Sequence, residues 1–411
     1  MNTEKPIFVY WNHLLTEPEL LGILSAQNIR NKEVFSFSFE KKWLKAHPEY
    51  PLLDSDVQSY GGVQFATKAN FGMFMDSSPD RWGRKLMMRR EAIRARKANE
   101  KPRSLLESDY LLGVYDETRM GAFRFKLSET GDFLNNDSTM AAPPWARLRE
   151  LEEASRKLEN DTLSNEHEKW LAVLMAPGSS LGGARPKASI TSPSGDMWIA
   201  KFPSKNDSGN TAAWEFATMK MAKDAGLNTP ETKLETFSSK GATFLTKRFD
   251  RINGHRIHFA SAMTLLGKKD GEEGTSYLDL AEFIISHCSS PEQELLELWK
   301  RIVFSIAISN TDDHLRNHGF LFSKKGWSLS PAYDINPNPE GTGLSLNITD
   351  NDNSLDFDLA LEIAPYFHIS ETLANQLLNQ IRQVVANWRN YAKRAGISND
   401  ETEQMAAAFR W

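Results

Sequence analysis

The chain has 411 residues, of which 40% are hydrophobic and 25% charged, and a formal net charge of −5. That length exceeds one ordinary core and calls for two or three packed units. The mild acidity excludes binding to nucleic acid through overall basicity and leaves that role to local patches.

Cys288 is the single cysteine, which rules out a disulfide framework within the chain and zinc sites built on several thiolates. It ends the apolar stretch Ile284-Ile285-Ser286-His287-Cys288 and reads as a buried structural thiol rather than a nucleophile. The start, Met1 to Pro6, lacks the basic and apolar regions of a signal peptide. No window approaches the ~18 apolar residues that span a membrane, so no membrane partner is expected and the cytoplasm follows by default.

The first ~140 residues read as their own α+β unit. Ile7 to Trp11 forms a strand, and Val34-Phe35-Ser36-Phe37-Ser38-Phe39 alternates with period two. Trp82 to Asn99 reads as a helix and Gly121 to Lys126 as another alternating strand. Asn135 to Pro144 is polar and proline-bearing, as a linker is. Trp145 to Leu158 is then helical.

A glycine-rich turn, Pro177 to Gly183, opens the next part. Strands follow over Met197–Phe202, near Thr232 and over Thr243–Phe249, with a helix from Thr211 to Asp224 that stops before Gly226, a C-cap residue. Beyond Leu278 the pattern is mainly helical, with apolar periodicity over Glu292–Ser309 and Thr372–Ala392. The expected divisions are 1–140, 145–250 and 251–411. A β-rich part followed by a helical part is an α+β arrangement.

The segment Ser309-Asn310-Thr311-Asp312-Asp313-His314-Leu315-Arg316-Asn317 lies between a long helix and the apolar strand Gly319–Phe322. A polar cluster between two buried elements needs a chemical reason. Asp312 and Asn317 have the Asp-x4-Asn spacing of a kinase catalytic loop; Asp313 does not. Asp312 would accept the proton of the attacking hydroxyl, and Asn317 would offer its carbonyl oxygen to Mg²⁺. Asp334 supplies the second metal-binding carboxylate, in Tyr333-Asp334-Ile335, where no glycine follows. Lys201 ends an apolar strand, where a lysine needs a partner. It is placed to reach ATP phosphates, with Glu215 on the next helix as its ion-pair partner. The order Lys, Glu, Asp-x4-Asn, Asp is the order of a kinase.

These motifs, with Gly178 to Lys187, Lys247-Arg248-Phe249-Asp250-Arg251 and Asp76 to Arg81, together resemble the HipA toxin kinases over nearly the whole chain. The resemblance implies an atypical two-lobed protein-kinase-like fold, with a small β-rich lobe, a helical lobe and an additional N-terminal α+β subdomain. It implies a serine/threonine kinase using ATP and Mg²⁺, the toxin of a type II toxin–antitoxin system. Its partner would be a HipB-like helix-turn-helix antitoxin bound to operator DNA. Its substrate would be an aminoacyl-tRNA synthetase such as glutamyl-tRNA synthetase. Lys247 and Phe249 would lie at the adenine hinge, and Ser179, Ser180, Gly182 and Gly183 in the phosphate loop. Ser180, with Ser179 beside it, would be autophosphorylated, ejecting the loop and silencing the enzyme.

Other readings compete. Gly178-Ser179-Ser180-Leu181-Gly182 matches the G-x-S-x-G elbow of hydrolases, but the Gly183, Arg185 and Pro186 that follow open a helix poorly. His314 and His318 stand at i and i+4, as in a zinc helix, without the glutamate base; a metal-dependent phosphohydrolase is the alternative enzyme. In the kinase reading His314 braces the loop. A basic run including Arg84, Lys85, Arg89, Arg90 and Arg94 fits either phosphate contact or a solvated helix face, so an inactive nucleotide- or DNA-binding regulator is a further alternative.

Overall fold

Alternation in the first strands converts directly into a half-buried sheet. In β1 (Glu4–Trp11) the residues Ile7, Val9 and Trp11 point inward, and in β3 (Lys32–Phe39) Phe35, Phe37 and Phe39 do so. The computed structural model describes residues 4–30, 32–48, 50, 52–160, 174, 185–239 and 241–411. Between these strands runs β2 (Glu19–Ile29), eleven residues that the sequence reading leaves unassigned. Its adjacent Leu20 and Leu21 break the period-two pattern, and a bulge between Val9 and Tyr10 absorbs the extra residue. With β4 (Gln64–Phe65) and β5 (Phe123–Lys126) they form one antiparallel sheet of order β4-β3-β2-β1-β5.

The inner face is aromatic. Phe37, Phe71, Phe74, Phe123 and Phe125 are all buried and meet edge-to-face or tilted. Each such ring contributes on the order of 2–3 kcal/mol by leaving water.

The chain divides into two units. The first comprises Met1–Lys205 and Arg248–Gly267, the second Asn206–Lys247 and Lys268–Trp411. Helices and sheets are mixed in an α+β arrangement.

In the first unit the helix Arg81–Lys97 is capped by Asp80, whose Oδ1 accepts from Gly83 N at 2.8 Å. The stretch expected to be a linker is packed instead. Met140 is buried, Asp116 N donates to Asn135 O, and Thr191 N donates to Pro143 O. The helical reading from Trp145 resolves into a 3₁₀ turn and the helix Leu148–Glu159. The hairpin of β6 (Lys187–Thr191) and β7 (Met197–Lys201) follows.

Arg119 is fully buried and donates to four carbonyls, those of Ser77, Leu111, Val114 and Leu134. Beside it Asp250 is gripped by Arg248 and Arg251 at 2.7 and 2.6 Å. Burial would push the Asp250 carboxyl up, but these two guanidinium groups hold it well below the usual range. Arg248, Arg251 and Arg256 also donate to carbonyls of residues 116–119. Arg248 and Arg251, which flank the Phe249 expected at the hinge, thus clamp a loop of the N-terminal region.

In the second unit β8 (Thr232–Ser238) and β9 (Gly241–Lys247) form an antiparallel hairpin beside the helix Thr211–Asp224. The longest described helix of this unit, Pro291–Ala307, has Leu295, Leu298, Trp299, Ile302, Val303 and Ile306 completely buried. The periodic stretch 372–392 is two helices, not one: Glu371–Val385 and Trp388–Arg394. The break at Ala386–Asn387 turns Trp388 inward, where it stacks on Phe409 with centroids 4.3 Å apart.

Candidate functional site

The polar loop grows from the end of the helix Pro291–Ala307. Ser309 leaves it with φ 50, a left-handed conformation uncommon for serine. Asn310 is buried, and its Oδ1 accepts from Asn336 N at 3.2 Å, joining this loop to the one that carries Asp334. Asp312 projects outward, its side chain 85% exposed, 3.8 Å from His314 Nε2. His314 Nδ1 accepts from Arg316 N and caps the 3₁₀ turn Leu315–Asn317. That turn is not an α-helix. His314 faces solvent and His318 is buried, so the two do not form a zinc-binding face.

Asn317 is oriented from within the loop. Its Nδ2 donates to the carbonyl of Asp312 at 2.8 Å, while its Oδ1 is buried and, among the described residues, has no hydrogen-bond partner. A buried amide oxygen left without a donor is costly, and it suits a hard cation, which takes oxygen ligands. Asn336 Nδ2 lies 3.4 Å from Asp334 Oδ1, and Asn336 Oδ1 is likewise buried and unmatched. Asp334 has φ 58. Its neighbours fix that conformation: Tyr333 OH donates to Arg316 O at 2.6 Å, and the Thr218 hydroxyl is 2.8 Å from Ile335 O. Thr218 lies one turn after the buried Glu215 on the same helix.

Asp313, set aside by spacing, is the loop's internal anchor. It is buried among Tyr277 OH (2.6 Å), Ser305 Oγ (3.1 Å) and His318 Nε2 (3.0 Å). Burial would raise its pKa, but His318 and the two hydroxyls outweigh that and hold the carboxyl below its ordinary value. Two adjacent aspartates therefore divide the work, one presented outward and one anchoring the loop. The sequence signal for Asp313 was its place one residue after the exposed acid, beside an apolar helix.

The second unit thus brings together Asp312, His314, Asn317 and Asp334, and ties the helix of Glu215 to them through Thr218. Lys247 closes β9, with its amide donating to Glu231 O. Lys201 and Phe249 belong to the first unit. Lys201 is buried at the end of β7, and its Cα partner across the hairpin is Lys187. Like charges directly opposite are unfavourable; Asp80 Oδ2 stands 2.7 Å from Lys187 Nζ and offsets them. Phe249 packs against Phe259. Ser179, Ser180, Gly182 and Gly183 lie outside the described residues.

Much of the basic run is already neutralised within the first unit. Arg84 forms a two-point pair with Glu107, Arg94 pairs with Glu91 and Glu100, Arg90 with Asp137, and Arg89 donates to Leu158 O. Lys85 is exposed. Cys288 is partly buried at the end of the helix Tyr277–His287, and burial pushes its thiol up, as an inert thiol requires. Among the described residues, no group of three His, Cys, Asp or Glu is placed to hold a metal ion, and no helix is long and apolar enough to cross a membrane.

An Asp–Asn loop with a second acid on the adjoining loop is the arrangement of the phosphoryl-transfer class. The family follows from comparison with known proteins. The HipA-like C-terminal domain matches residues 179–388, just over half of the chain. The chain belongs to the HipA family.

A candidate kinase of Haemophilus influenzae is 30% identical over 192 residues, 40% of this chain and 54% of that protein. The serine/threonine-protein kinase toxin HipA of Shewanella oneidensis is 27% identical over 143 residues, 29% of this chain and 33% of that one. The chain therefore spans about half the length of the first of these relatives and a third of the second. A solved structure, the HipA, HipB and operator DNA complex of the Shewanella oneidensis MR-1 toxin–antitoxin system, matches with a TM-score of 0.66 at 18% identity. That match covers 97% of this chain and 94% of the other, and it shows a shared fold.

Proposed function

We propose that the protein is an ATP- and Mg²⁺-dependent serine/threonine protein kinase, the toxin of a type II toxin–antitoxin system. The observation that carries the reading is the Asn317 amide, fixed by the Asp312 carbonyl with its own oxygen buried and unmatched. Asp312 accepts the proton of the substrate hydroxyl and aims its oxygen. Asn317 and Asp334 would hold Mg²⁺, which neutralises phosphate charge when bound. Lys201 with Glu215 serves the phosphates, Lys247 and Phe249 the adenine, and His314 supports the loop. The divisions 1–140, 145–250 and 251–411 are assigned to an N-terminal subdomain, an ATP-binding lobe and a catalytic lobe.

The family and the solved complex support a HipB-like antitoxin, bound to operator DNA, as partner. An aminoacyl-tRNA synthetase such as glutamyl-tRNA synthetase is the proposed substrate, and phosphorylation of Ser180 or Ser179 the proposed means of silencing. The exposed Lys85, with its neighbours on the basic helix, is a candidate DNA contact.

The test is incubation of the full chain with γ-labelled ATP and Mg²⁺ beside an Asp312→Ala variant, with the label mapped by mass spectrometry. Label on Ser179 or Ser180 in the wild type alone supports the kinase. Bound ATP with no transfer, in protein shown beforehand to carry no phosphate, overturns it.

A further inference from the structure

Ser309 is fully buried, yet it opens the catalytic loop in a backbone conformation that serine rarely adopts. Such a residue persists only where its surroundings determine it. Four neighbours hold it. Its amide donates to Ile306 O at 3.2 Å, its carbonyl accepts from Thr311 N and Asn338 N, and its Oγ accepts from Arg410 Nε at 3.2 Å. Arg410 N also donates to the carbonyl of Ala307, the last residue of the long helix, at 2.7 Å. A cation at a helix C-terminus is favoured by the helix dipole.

The residue before Arg410 reaches the other side of the site. Phe409 stacks on Trp388 and meets Trp214 with ring centroids 5.9 Å apart. Trp214 precedes Glu215 on the helix Thr211–Asp224. Glu401, on the helix Asn399–Gln404, accepts from Trp214 Nε1 at 3.1 Å and from Asn210 N at 2.6 Å, at the start of that helix. Residues 401–410 therefore grip both the helix of Glu215 and the residue that aims the Asp312 loop.

We infer that Arg410 is a positioning residue for phosphoryl transfer. Its guanidinium, bonded to the Ser309 hydroxyl, holds the turn that sets the direction of Asn310 to Asp312, while Phe409 and Glu401 fix the Glu215 helix against the same segment. The inference rests on the proposed kinase function and goes beyond the residues assigned to it. Arg410 acts through the loop and touches no substrate.

The experiment is a double-mutant cycle in the full chain, with Arg410→Ala, Ser309→Ala and the pair. It has two readouts: phosphoryl transfer from ATP, and amide hydrogen exchange of residues 309–317. The backbone bond from Arg410 to Ala307 survives in every variant. Arg410→Ala is expected to lower kcat by roughly ten- to a hundredfold through misaimed geometry, with KM for ATP changed less than about twofold. It should speed exchange in 309–317 while the helix Pro291–Ala307 stays protected. The pair should be no worse than either single variant, because both remove one bond.

Unchanged exchange in 309–317 overturns the inference whatever the activity. So does faster exchange with unchanged kcat, or additive losses. If the wild type transfers no more phosphate than Asp312→Ala, the kinase reading has failed, and positioning for transfer fails with it. The exchange data then report on the brace alone, so the two failures are told apart.

Discussion

Tyr277 donates its phenol to Asp313 at 2.6 Å, from the first turn of its helix to the acid beneath the Asp312 loop. The bond ends on a charged, buried acceptor, so losing it should cost about 2 kcal/mol. Tyr277→Phe is therefore expected to lower the urea midpoint at constant slope. Because Ser305 and His318 still face Asp313, the loop should survive, with transfer reduced rather than abolished.

The same carboxylate gives a pH signature. Its folded pKa is depressed, so it contributes stability above its unfolded value near 4 and loses it as pH falls through the folded value. Stability measured below pH ~4 should fall less steeply in Asp313→Asn than in the wild type.

Asp54 should do the opposite. It is completely buried at the start of the Met73 segment, where its carboxylate accepts from Asp56 N and Met73 N. Burial pushes it up to about 6 against those bonds. The folded state therefore holds a proton that the unfolded state has released. Between pH ~4 and ~6 stability should decline with rising pH by on the order of 2–3 kcal/mol. Denaturation across that window should show the slope, and Asp54→Asn should flatten it.

Asn317→Ala removes both the tether to Asp312 and the unmatched oxygen. Phosphoryl transfer should fall on the order of a hundredfold or more. Calorimetry of ATP binding should show that Mg²⁺ no longer tightens it. Chelation by EDTA should stop transfer in the wild type and leave little to stop in the variant.

A phosphate on the glycine-rich segment adds about −1.5 to −2 charges where ATP phosphates would approach. Replacing Ser179 and Ser180 together by alanine should keep transfer to a protein substrate from declining with time. A progress curve that decays as in the wild type would count against self-silencing.

The sequence exposed the elements with clean periodicity. The helix Thr211–Asp224 has the expected bounds, and the strands around Ile7 and Phe35 follow from alternation. The second strand escaped because its adjacent leucines mask the alternation that the bulge restores. The helix pair after Glu371 escaped because both halves share one apolar period, and the break serves a distant ring, Phe409. At the site, spacing marked Asp312, Asn317 and Asp334. It was silent on Asp313, Thr218 and Arg410, whose roles depend on neighbours dozens to a hundred residues away. On the basic helix, composition showed the cations but not their pairing, with Glu91 and Glu100 inside the run and with Glu107 and Asp137 beyond it.

Asp80 and Lys187 meet at 2.7 Å inside the first unit, both almost wholly shielded from water. Breaking such a pair is far more damaging than never having had it. A segment beginning near residue 145, transplanted or expressed alone, would lack Asp80 beside this buried ammonium. The N-terminal region and β6 are thus not interchangeable modules. A chimaera that joins them from different family members should fold only if acid and lysine are inherited together.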